Sequence, residues 1–340
     1  MYILTKEQRI KAFAKLGSAL QNPDDYTQAS LSAIPFKNPW YTLPNILKQL
    51  DAIATNLEEK KLSHWLLPYP DFNTDKSVGL ILAGNLPLVG FHDILCTLIL
   101  GFTAKIKTSS EDAGLTAYIL EKLIGIEPRF GEHIHIVEKL TDYDLVIATG
   151  SNNSARYFAY YFGQKPHIIR KNRNSLAVLT GQETSDELSL LGNDIFDYFG
   201  LGCRSVSKLF VPKGYDFVPF FQAIEDHKTL KDHFKYNNNY DYNKSIYLIN
   251  RNKHYDNGFL LLKEDTALSS PLAVVHYEEY NDMDEAISKI NIEKDNIQCV
   301  VSTDKPPIEV PCFPFGQSQC PALDDYADGV DILRFLYNNR

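Results

Sequence analysis

The sequence predicts an α/β fold, on two observations. Short apolar runs alternate with longer runs of helical spacing between residues 78 and 162, which is typical of a mostly parallel sheet covered on both faces. The alternation resumes at residue 175 and continues to residue 302, which predicts a second α/β region. No internal repeat, low-complexity tract or flexible linker interrupts this pattern.

Helices are predicted before the first strand as well. The first covers 5–16, with the Thr5 hydroxyl as its N-cap. A polar, proline-containing stretch at 22–39 is predicted to be irregular, and a longer amphipathic helix follows at 44–62. In the second region, the Asn- and Tyr-rich stretch at 232–243 is predicted to be a surface loop, followed by a strand at 247–249.

Composition and charge limit the class of protein. The chain has 340 residues and a formal net charge of −9, which argues against a general nucleic-acid-binding surface. Its five cysteines form no C-x-x-C pair, a pattern that favours reduced thiols in the cytoplasm. The N-terminus predicts an amphipathic helix and not a signal peptide, and no apolar run reaches the roughly 18 residues of a membrane span.

Cys203 is the candidate nucleophile. It directly follows the Gly-x-Gly turn at 200–202 and precedes a strand-like run at 208–211. Both glycines can take backbone angles that are closed to other residues, so the chain can turn sharply and present the thiol in a cleft. Backbone N–H groups of such a turn hold an anion, and a deprotonated thiol there attacks a carbonyl carbon. A buried structural cysteine is the alternative.

Five further residues end or follow predicted strands of the first region, at the edge where open α/β sheets bind ligands. The Asn85 amide is a candidate hydrogen-bond donor to a developing oxyanion. The alternative is that Asn85 only favours the turn, as asparagine does before x-Pro. Lys107, which is followed by Ser109, is a candidate to contact the ribose or phosphate of a nucleotide. The alternative is an exposed charge at a strand end. Gly150 and Ser151 precede a predicted helix, and the N–H groups at a helix start attract phosphate. The alternative is that Ser151 is an ordinary helix cap. Neither G-x-G-x-x-G nor a P-loop motif occurs.

Two other polar groups have weaker claims to a site. Arg170, Lys171 and Arg173 form a basic cluster suited to the phosphates of a ligand, with a solvated loop as the alternative. His133 and His135 share one face of a predicted strand, but two ligands without a third do not define a metal site, and none is predicted.

The order of the motifs resembles the aldehyde dehydrogenase superfamily. That superfamily has W-N-x-P, K-x-S-E, F-T-G-S and a catalytic cysteine in G-Q-x-C, and this chain has similar runs at 84–88, 107–110, 148–151 and 202–204. Its E-x-F-G-P-V and D-x-D-E-A are similar to 267–272 and 282–286. Within it, the sequence most resembles acyl-CoA reductases of the LuxC type, whose G-Q-x-Q-x-P…D-G ending looks like 316–329. The resemblance covers about 78–331.

This resemblance implies an aldehyde dehydrogenase-like fold, with a Rossmann-type nucleotide-binding domain and an α/β catalytic domain. The expected segments are an N-terminal helical segment at 1–70, the nucleotide-binding domain at 71–175, the catalytic domain at 176–310 and a C-terminal segment at 311–340.

The implied activity is NADPH-dependent reduction of an acyl thioester to the aldehyde, with NADH as the alternative cofactor. The acyl donor is acyl-CoA or an acyl-carrier protein, and the implied partners are a second copy of the chain or an acyl-activating enzyme. The resemblance implies that Cys203 is the nucleophile and that Asn85 donates to the oxyanion. It also implies that the cofactor is bound by Lys107, Ser109, Gly150 and Ser151.

The sequence departs from the superfamily in two places. Hydrolytic members use the glutamate of E-L-G-G-K to activate water, but the matching stretch 168–173 holds no carboxylate. The glutamate of E-x-F-G-P-V, which holds the nicotinamide ribose, is replaced by Ala267, and neither Glu264 nor Asp265 is in its register. His167 is a candidate proton donor. An aldehyde-oxidising dehydrogenase and a non-catalytic subunit of a fatty-acid reductase-like complex are the alternatives.

Overall fold

The computed structural model describes residues 4–340 and confirms the α/β fold. The described chain divides into two compact units, one of residues up to 172 together with 322–340, and one of residues 173–321. The C-terminal residues therefore belong to the same unit as the N-terminal helices. The four segments that the resemblance implies stay a prediction.

Helices precede and cover the first sheet. The first begins after its N-cap Thr5, as predicted, and a capping box with Gln8 satisfies its first turn. The single helix predicted at 44–62 is divided in two. The helices of this unit are α1 (Lys6–Gln21), α2 (Asp25–Ala33), α3 (Leu43–Asn56), α4 (Glu59–Trp65), α5 (Phe91–Ile99), α6 (Leu115–Ile126), α7 (Asn152–Phe162) and α12 (Ile332–Asn338).

The predicted irregular stretch at 22–39 is wrong, because α2 occupies much of it. Asp24 caps this helix by accepting hydrogen bonds from the backbone N–H of Thr27, at 2.7 Å, and from its hydroxyl. The prolines of the stretch flank the helix and do not interrupt it, so the polar composition concealed a capped helix.

Within residues 4–340, the first sheet has five parallel strands in the order β3-β2-β1-β4-β5. They are β1 (Ser77–Ile81), β2 (Thr103–Lys107), β3 (Ile134–Ile136), β4 (Leu145–Thr149) and β5 (His167–Arg170). The strand order reverses between β1 and β4, and ligands of such sheets bind beyond the carboxyl ends at this switch point. Register places Lys107, Ile81 and Ala148 side by side at that edge.

The second sheet, as far as the chain is described, has seven strands in the order β12-β11-β6-β7-β10-β9-β8, with an antiparallel pairing between β8 and β9. Its strands are β6 (Asn174–Val178), β7 (Val206–Pro212), β8 (Tyr255–Asp256), β9 (Leu261–Glu264), β10 (Val274–Tyr280), β11 (Ile297–Val301) and β12 (Cys312–Phe313). Its helices are α8 (Ser185–Phe196), α9 (Val218–Ala223), α10 (Phe234–Ile249) and α11 (Met283–Ile292).

The predicted loop at 232–243 and strand at 247–249 are both wrong, because α10 covers them. Its buried side chains recur at helical spacing and are Tyr236, Tyr240, Asn243 and Tyr247. The asparagines, whose abundance predicted a loop, bond back along the helix: the Asn243 amide donates to the Asn239 carbonyl at 3.0 Å. Burial of one aromatic side therefore outweighs the weak helix propensity of asparagine.

Candidate active site

The structure brings five predicted site residues together at the carboxyl edge of the first sheet. They follow or end the adjacent parallel strands β1, β2 and β4, and they are Asn85, Lys107, Ser109, Gly150 and Ser151. Because neighbouring parallel strands end at the same edge, the loops after β1 and β4 flank the switch point. The topology alone therefore places these residues where an open α/β sheet takes a ligand.

The loop that carries Asn85 is held tightly. A Cβ on Gly84 would lie 2.6 Å from the Cβ of Ser109, so no larger residue fits there. Tyr41 is 1% exposed, and its hydroxyl lies 2.9 Å from the Gly84 carbonyl oxygen and 2.8 Å from that of Leu86. Burial raises the pKa of Tyr41, so its hydroxyl stays protonated and can donate. The exposed Asn85 side chain thus extends from a fixed backbone.

The turn between β4 and α7 also needs a glycine. A Cβ on Gly150 would lie 2.8 Å from the Cβ of Ser154 and 2.9 Å from Cε2 of Phe158. Ser151 is the N-cap of α7, and its Oγ accepts from the Ser154 backbone N–H at 3.2 Å. The first turn of α7 therefore starts at the switch point, where its N–H groups favour a phosphate.

Lys107 and Ser109 have partners of their own at this edge. The exposed Lys107 ammonium donates to the Glu138 carbonyl at 2.6 Å. Ser109 caps a short 3₁₀ turn by accepting from the Glu111 backbone N–H at 3.2 Å. The role of these two residues in cofactor binding stays a prediction.

Cys203 lies in a tight turn at the amino edge of the second sheet. The Ser205 N–H donates to the Gly202 carbonyl at 3.0 Å, and the Gly202 N–H donates to Ser205 Oγ at 3.2 Å. The carbonyl of Cys203 accepts from the hydroxyl of Ser175, a buried residue of β6, at 2.9 Å. The backbone around the thiol is therefore fixed from both the turn and the sheet.

Exposure distinguishes Cys203 from three of the other cysteines. Cys96 and Cys299 are buried and Cys312 is half-buried, whereas Cys203 and Cys320 are exposed. Burial raises the pKa of both Cys96 and Cys312, which makes them poor nucleophiles. The alternative of a buried structural cysteine at position 203 is therefore excluded.

A run of left-handed backbone precedes Cys203. The φ angles of Tyr198, Phe199 and Gly200 are 54°, 60° and 75°. The left-handed conformation that was predicted for the glycines before Cys203 is thus adopted by Gly200 and by the two aromatic residues that precede it. Left-handed conformations cost non-glycine residues about 1–3 kcal/mol each and cluster at functional sites.

A segment that the sequence analysis treated only as a family marker packs on the Cys203 turn. Asp194 of α8, 1% exposed, accepts from the backbone N–H groups of Gly316 at 2.6 Å and Ser318 at 2.9 Å. Burial raises the pKa of Asp194, against the effect of these donors. The Gln319 amide then donates to Ser205 Oγ at 3.1 Å. The G-Q-x-Q motif thus supports the turn that carries the thiol.

Neighbouring strands also hold the loop between β9 and β10. Successive carbonyls at 266–268 are contacted by the Lys208 ammonium at 2.7 Å, His276 Nδ1 at 3.1 Å and the Ser207 hydroxyl at 2.8 Å. Lys208 is 1% exposed and forms an ion pair with Glu278 at 2.5 Å. This loop carries Ala267, at the place where the resemblance puts the ribose-binding glutamate.

Asp265 is occupied within the same loop. It forms an ion pair with Lys263 at 2.6 Å and accepts from the Ala267 backbone N–H at 3.0 Å. The Lys263 hydrogen bond, followed by the Ala267 one, lowers the pKa of Asp265 to about 2. Asp265 therefore stabilises the loop as a carboxylate.

The predicted basic cluster does not form. Arg170 ends β5 and is buried, with Nη1 2.8 Å from Oδ2 of Asp93 in α5. Burial opposes the charge of Arg170, but the Asp93 carboxylate outweighs it and raises the pKa of the guanidinium. Lys171 is exposed, and Arg173 belongs to the other unit, where it donates to the Ile297 carbonyl at 3.3 Å. Arg170 is thus a buried ion-pair partner at a strand end, and the solvated loop that was the alternative to a phosphate-binding cluster begins at Lys171.

The histidines and the surface give further observations. His133 Nδ1 lies 3.2 Å from the Thr103 hydroxyl, and no group of three or more metal-ligating side chains occurs among residues 4–340. His167 is at the amino end of β5, the edge opposite Asn85 within that unit. In the described part of the chain, no helix has the length and apolar character needed to cross a bilayer.

The two sheets and the order of their strands define an aldehyde dehydrogenase fold. Similar solved structures include an aldehyde dehydrogenase from Physcomitrella patens in complex with the reaction product succinate, at 14% identity, with 98% of this chain and 84% of that chain covered and a TM-score of 0.69. An oxidoreductase from Marinobacter aquaeolei is 11% identical over 95% of this chain and 80% of that chain, with a TM-score of 0.72.

A third similar structure contains a nicotinamide cofactor. It is a Mycobacterium tuberculosis aldehyde dehydrogenase complexed with NAD+, at 15% identity, with 91% of this chain and 77% of that chain covered and a TM-score of 0.65. No family profile and no curated protein matches the sequence. The likeness to known proteins is therefore one of fold.

Proposed function

We propose that this protein reduces an acyl thioester to the aldehyde through an acyl-enzyme on Cys203, as acyl-CoA reductases of the LuxC type do. The observation that carries the proposal is the Arg170–Asp93 ion pair at the end of β5. There the resemblance puts the glutamate with which hydrolytic dehydrogenases activate water. A guanidinium does not accept a proton from water, and its pairing with Asp93 occupies that carboxylate. The acyl-enzyme is therefore left for reduction by hydride.

The first unit fits a dinucleotide cofactor. Its strand order has a switch point, and close packing against Gly84 and Gly150 fixes the loops that flank it. We assign Lys107, Ser109, Gly150 and Ser151 to cofactor binding. Strand β2 ends at Lys107. An acidic residue at this place would bind the ribose 2′-hydroxyl of NADH, whereas a cation suits the 2′-phosphate of NADPH, so Lys107 supports NADPH. When bound, the reduced cofactor supplies the hydride.

The chain's own groups perform the acyl transfer. The Cys203 thiolate attacks the thioester carbonyl carbon, and an S–C bond forms as the carbonyl electrons move to oxygen. The Asn85 amide and the Cys203 backbone N–H are assigned to that oxyanion. The oxyanion collapses, the bond to CoA sulfur breaks and CoA thiolate leaves. After reduction the C–S bond to Cys203 breaks, which releases aldehyde and returns the thiolate. Thiolate suits both steps, since it is a strong nucleophile and a good leaving group.

The alternatives fit less of the molecule. Oxidation of an aldehyde to an acid is what the names of several similar structures indicate for those proteins, but it needs a base that activates water, which 168–173 lacks. A non-catalytic subunit would not need an exposed thiol beside a run of left-handed backbone.

Identification of the product tests the proposal. The full chain is incubated with NADPH and either an acyl-CoA or an acyl-carrier protein, and aldehyde, released thiol and carboxylic acid are measured. We expect one aldehyde and one thiol for each NADPH oxidised. A parallel reaction contains aldehyde, NADP+ and no CoA. Fast acid formation there, or no aldehyde from any thioester, would overturn the proposal.

Asn85→Ala is expected to slow acylation of Cys203 by about 10²–10³-fold, the effect of removing one oxyanion donor elsewhere. Its side chain is exposed and its loop is held by Gly84 and Tyr41, so the fold should persist. Rapid-quench acylation gives the rate, and a fluorescence titration gives the NADPH affinity. Unchanged acylation together with tenfold weaker NADPH binding would make Asn85 a cofactor residue instead.

A further inference from the structure

Three consecutive left-handed residues, 198–200, lead into the turn that carries Cys203. Their φ angles are 54°, 60° and 75°, and the ψ angles of Tyr198 and Phe199 are 31° and 20°. L-residues other than glycine take this conformation singly and rarely, because their Cβ lies too close to the following carbonyl oxygen. Gly200 avoids that clash, whereas the two aromatic residues do not. Contacts of their side chains must therefore offset the strain of this left-handed run.

The left-handed run lies between two fixed points of the second unit. Helix α8 ends at the buried Phe196, and beyond the run the Cys203 carbonyl accepts from the Ser175 hydroxyl at 2.9 Å. The run itself is closed by the Leu201 N–H, which donates to the Tyr198 carbonyl at 3.2 Å. The direction in which the chain leaves residues 198–200 therefore decides where the thiol lies.

The ring of Phe199 is packed against helix α10. Phe199 is buried, and its ring centroid lies 4.4 Å from that of His233 and 6.2 Å from that of Tyr236. Tyr236 is itself buried, and its hydroxyl donates to the Phe259 carbonyl at 3.1 Å, so the surface that Phe199 meets is fixed in the core. Burial of a phenylalanine side chain stabilises about as much as a left-handed residue costs, so this ring can hold the strained backbone.

His233 makes two contacts that substitution can separate. Its ring packs on Phe199, and its Nδ1 accepts from the Tyr236 backbone N–H at 3.4 Å, which caps α10. Asparagine is a good cap without a ring, and phenylalanine is a ring without a capping atom. One residue therefore offers a test of ring packing and a test of helix capping.

We infer that Phe199 is a positioning residue for the nucleophile: its ring, clamped on His233, keeps residues 198–200 left-handed and so fixes the Cys203 thiol for attack on a carbonyl carbon. This role rests on the proposed function, which gives the thiol a carbonyl to attack. Such an attack requires one distance and one direction, and a misplacement of about 1 Å costs on the order of 10²-fold in rate. Alkylation by iodoacetamide is less demanding, since this small reagent approaches an exposed thiol from any open side.

Two substitutions of His233 test the ring clamp, the pair Phe199–His233. His233→Asn keeps the cap and removes the ring, and it should slow acylation of Cys203 by an acyl-CoA by about 10²-fold. Its Cys203 should still react with iodoacetamide at close to the wild-type rate. His233→Phe keeps the ring and should acylate at close to the wild-type rate. Rapid-quench acylation and mass spectrometry of the alkylated Cys203 peptide give both rates. The reverse order of the two variants would make His233 only a helix cap and would overturn the inference.

Two substitutions of Phe199 test whether its ring acts through the backbone. Phe199→Ala should lose about 10²-fold in acylation, whereas Phe199→Gly should lose less, because glycine takes a positive φ without steric cost. Phe196→Ala is the matched control: Phe196 is also buried and packs on His227 at 4.8 Å, but its φ of −104° is right-handed. It should acylate at close to the wild-type rate. Thermal melts establish which variants are folded, and the His233 pair decides if the Phe199 variants are not.

The outcomes separate this inference from the proposed function. If wild-type Cys203 is acylated, and His233→Asn and Phe199→Ala acylate as fast, the proposed function stands and the ring clamp is overturned. A parallel fall of acylation and iodoacetamide labelling also overturns it, because the clamp would then control access to the thiol and not its position. If no thioester acylates the wild type, the proposed function fails and this inference fails with it.

Discussion

Replacing Cys203 with alanine is expected to abolish both the acyl-enzyme and aldehyde production. Alanine has no nucleophile, and loss of the nucleophile in other acyl-transfer enzymes costs on the order of 10⁶-fold in kcat. The fold should be retained, because the side chain is exposed and exposed substitutions change stability by about 0.5 kcal/mol or less. The measurements are the acylated mass of the intact protein and the rate of NADPH oxidation with an acyl-CoA.

Cys320→Ala is the matched control, because Cys320 is the other exposed cysteine. It should acylate and reduce normally. In the wild type, iodoacetamide should label Cys203 faster than the remaining cysteines, because N–H groups of a turn favour the thiolate. Equal labelling of all cysteines, or more than a tenth of the reductase activity in Cys203→Ala, would contradict the assignment.

Asp93→Ala is expected to destabilise the first unit by about 3–5 kcal/mol, since it leaves the buried Arg170 charge uncompensated. In the described structure, Nε and Nη2 of Arg170 already lack a hydrogen-bond partner. Without Asp93, the remaining polar contact of Nη1 is the Thr149 hydroxyl at 3.4 Å. Urea unfolding followed by tryptophan fluorescence measures the effect in this unit, because both tryptophans of the chain, Trp40 and Trp65, belong to it.

The control for this prediction removes both charges. Replacing a buried ion pair with hydrophobic residues of similar volume is often neutral or stabilising, so Asp93→Leu combined with Arg170→Met should recover most of the lost stability. A loss below about 1 kcal/mol in Asp93→Ala would show that water or another group compensates Arg170, and would remove the support that this pair gives to the proposed function.

The first sheet and its ligand edge follow closely from the sequence. Continuous apolar runs such as 78–83 and 145–148 are typical of buried parallel strands, and the structure places β1 and β4 there. Once the strands are parallel, Asn85 and Gly150 must lie at the same edge, because the chain leaves each strand there. Local pattern and topology were sufficient for these residues.

Other parts of the site depend on contacts between residues far apart in sequence, and no local pattern indicates them. Tyr41 holds the Asn85 loop, and Asp194 holds the segment around Gly316. The burial of Arg170 was hidden for a similar reason: beside Lys171 and Arg173 it looks like part of a solvated cluster, and only α5 brings Asp93 to it. Helix α10 was missed because its asparagines have weak helix propensity, and tertiary burial decides its structure.

The lifetime of the acyl-enzyme tests the central claim most directly. Hydrolysis of an acyl-cysteine needs a group that activates water, and at the β5 end, where the resemblance puts that group, lies the Arg170–Asp93 pair. The protein is acylated with an acyl-CoA, excess thioester is removed, and the acylated Cys203 peptide and the products are followed over time. We expect the acyl-enzyme to persist for minutes without cofactor, to release aldehyde when NADPH is added, and to return thioester when CoA is added. Rapid release of the carboxylic acid in the absence of NADPH would contradict the account.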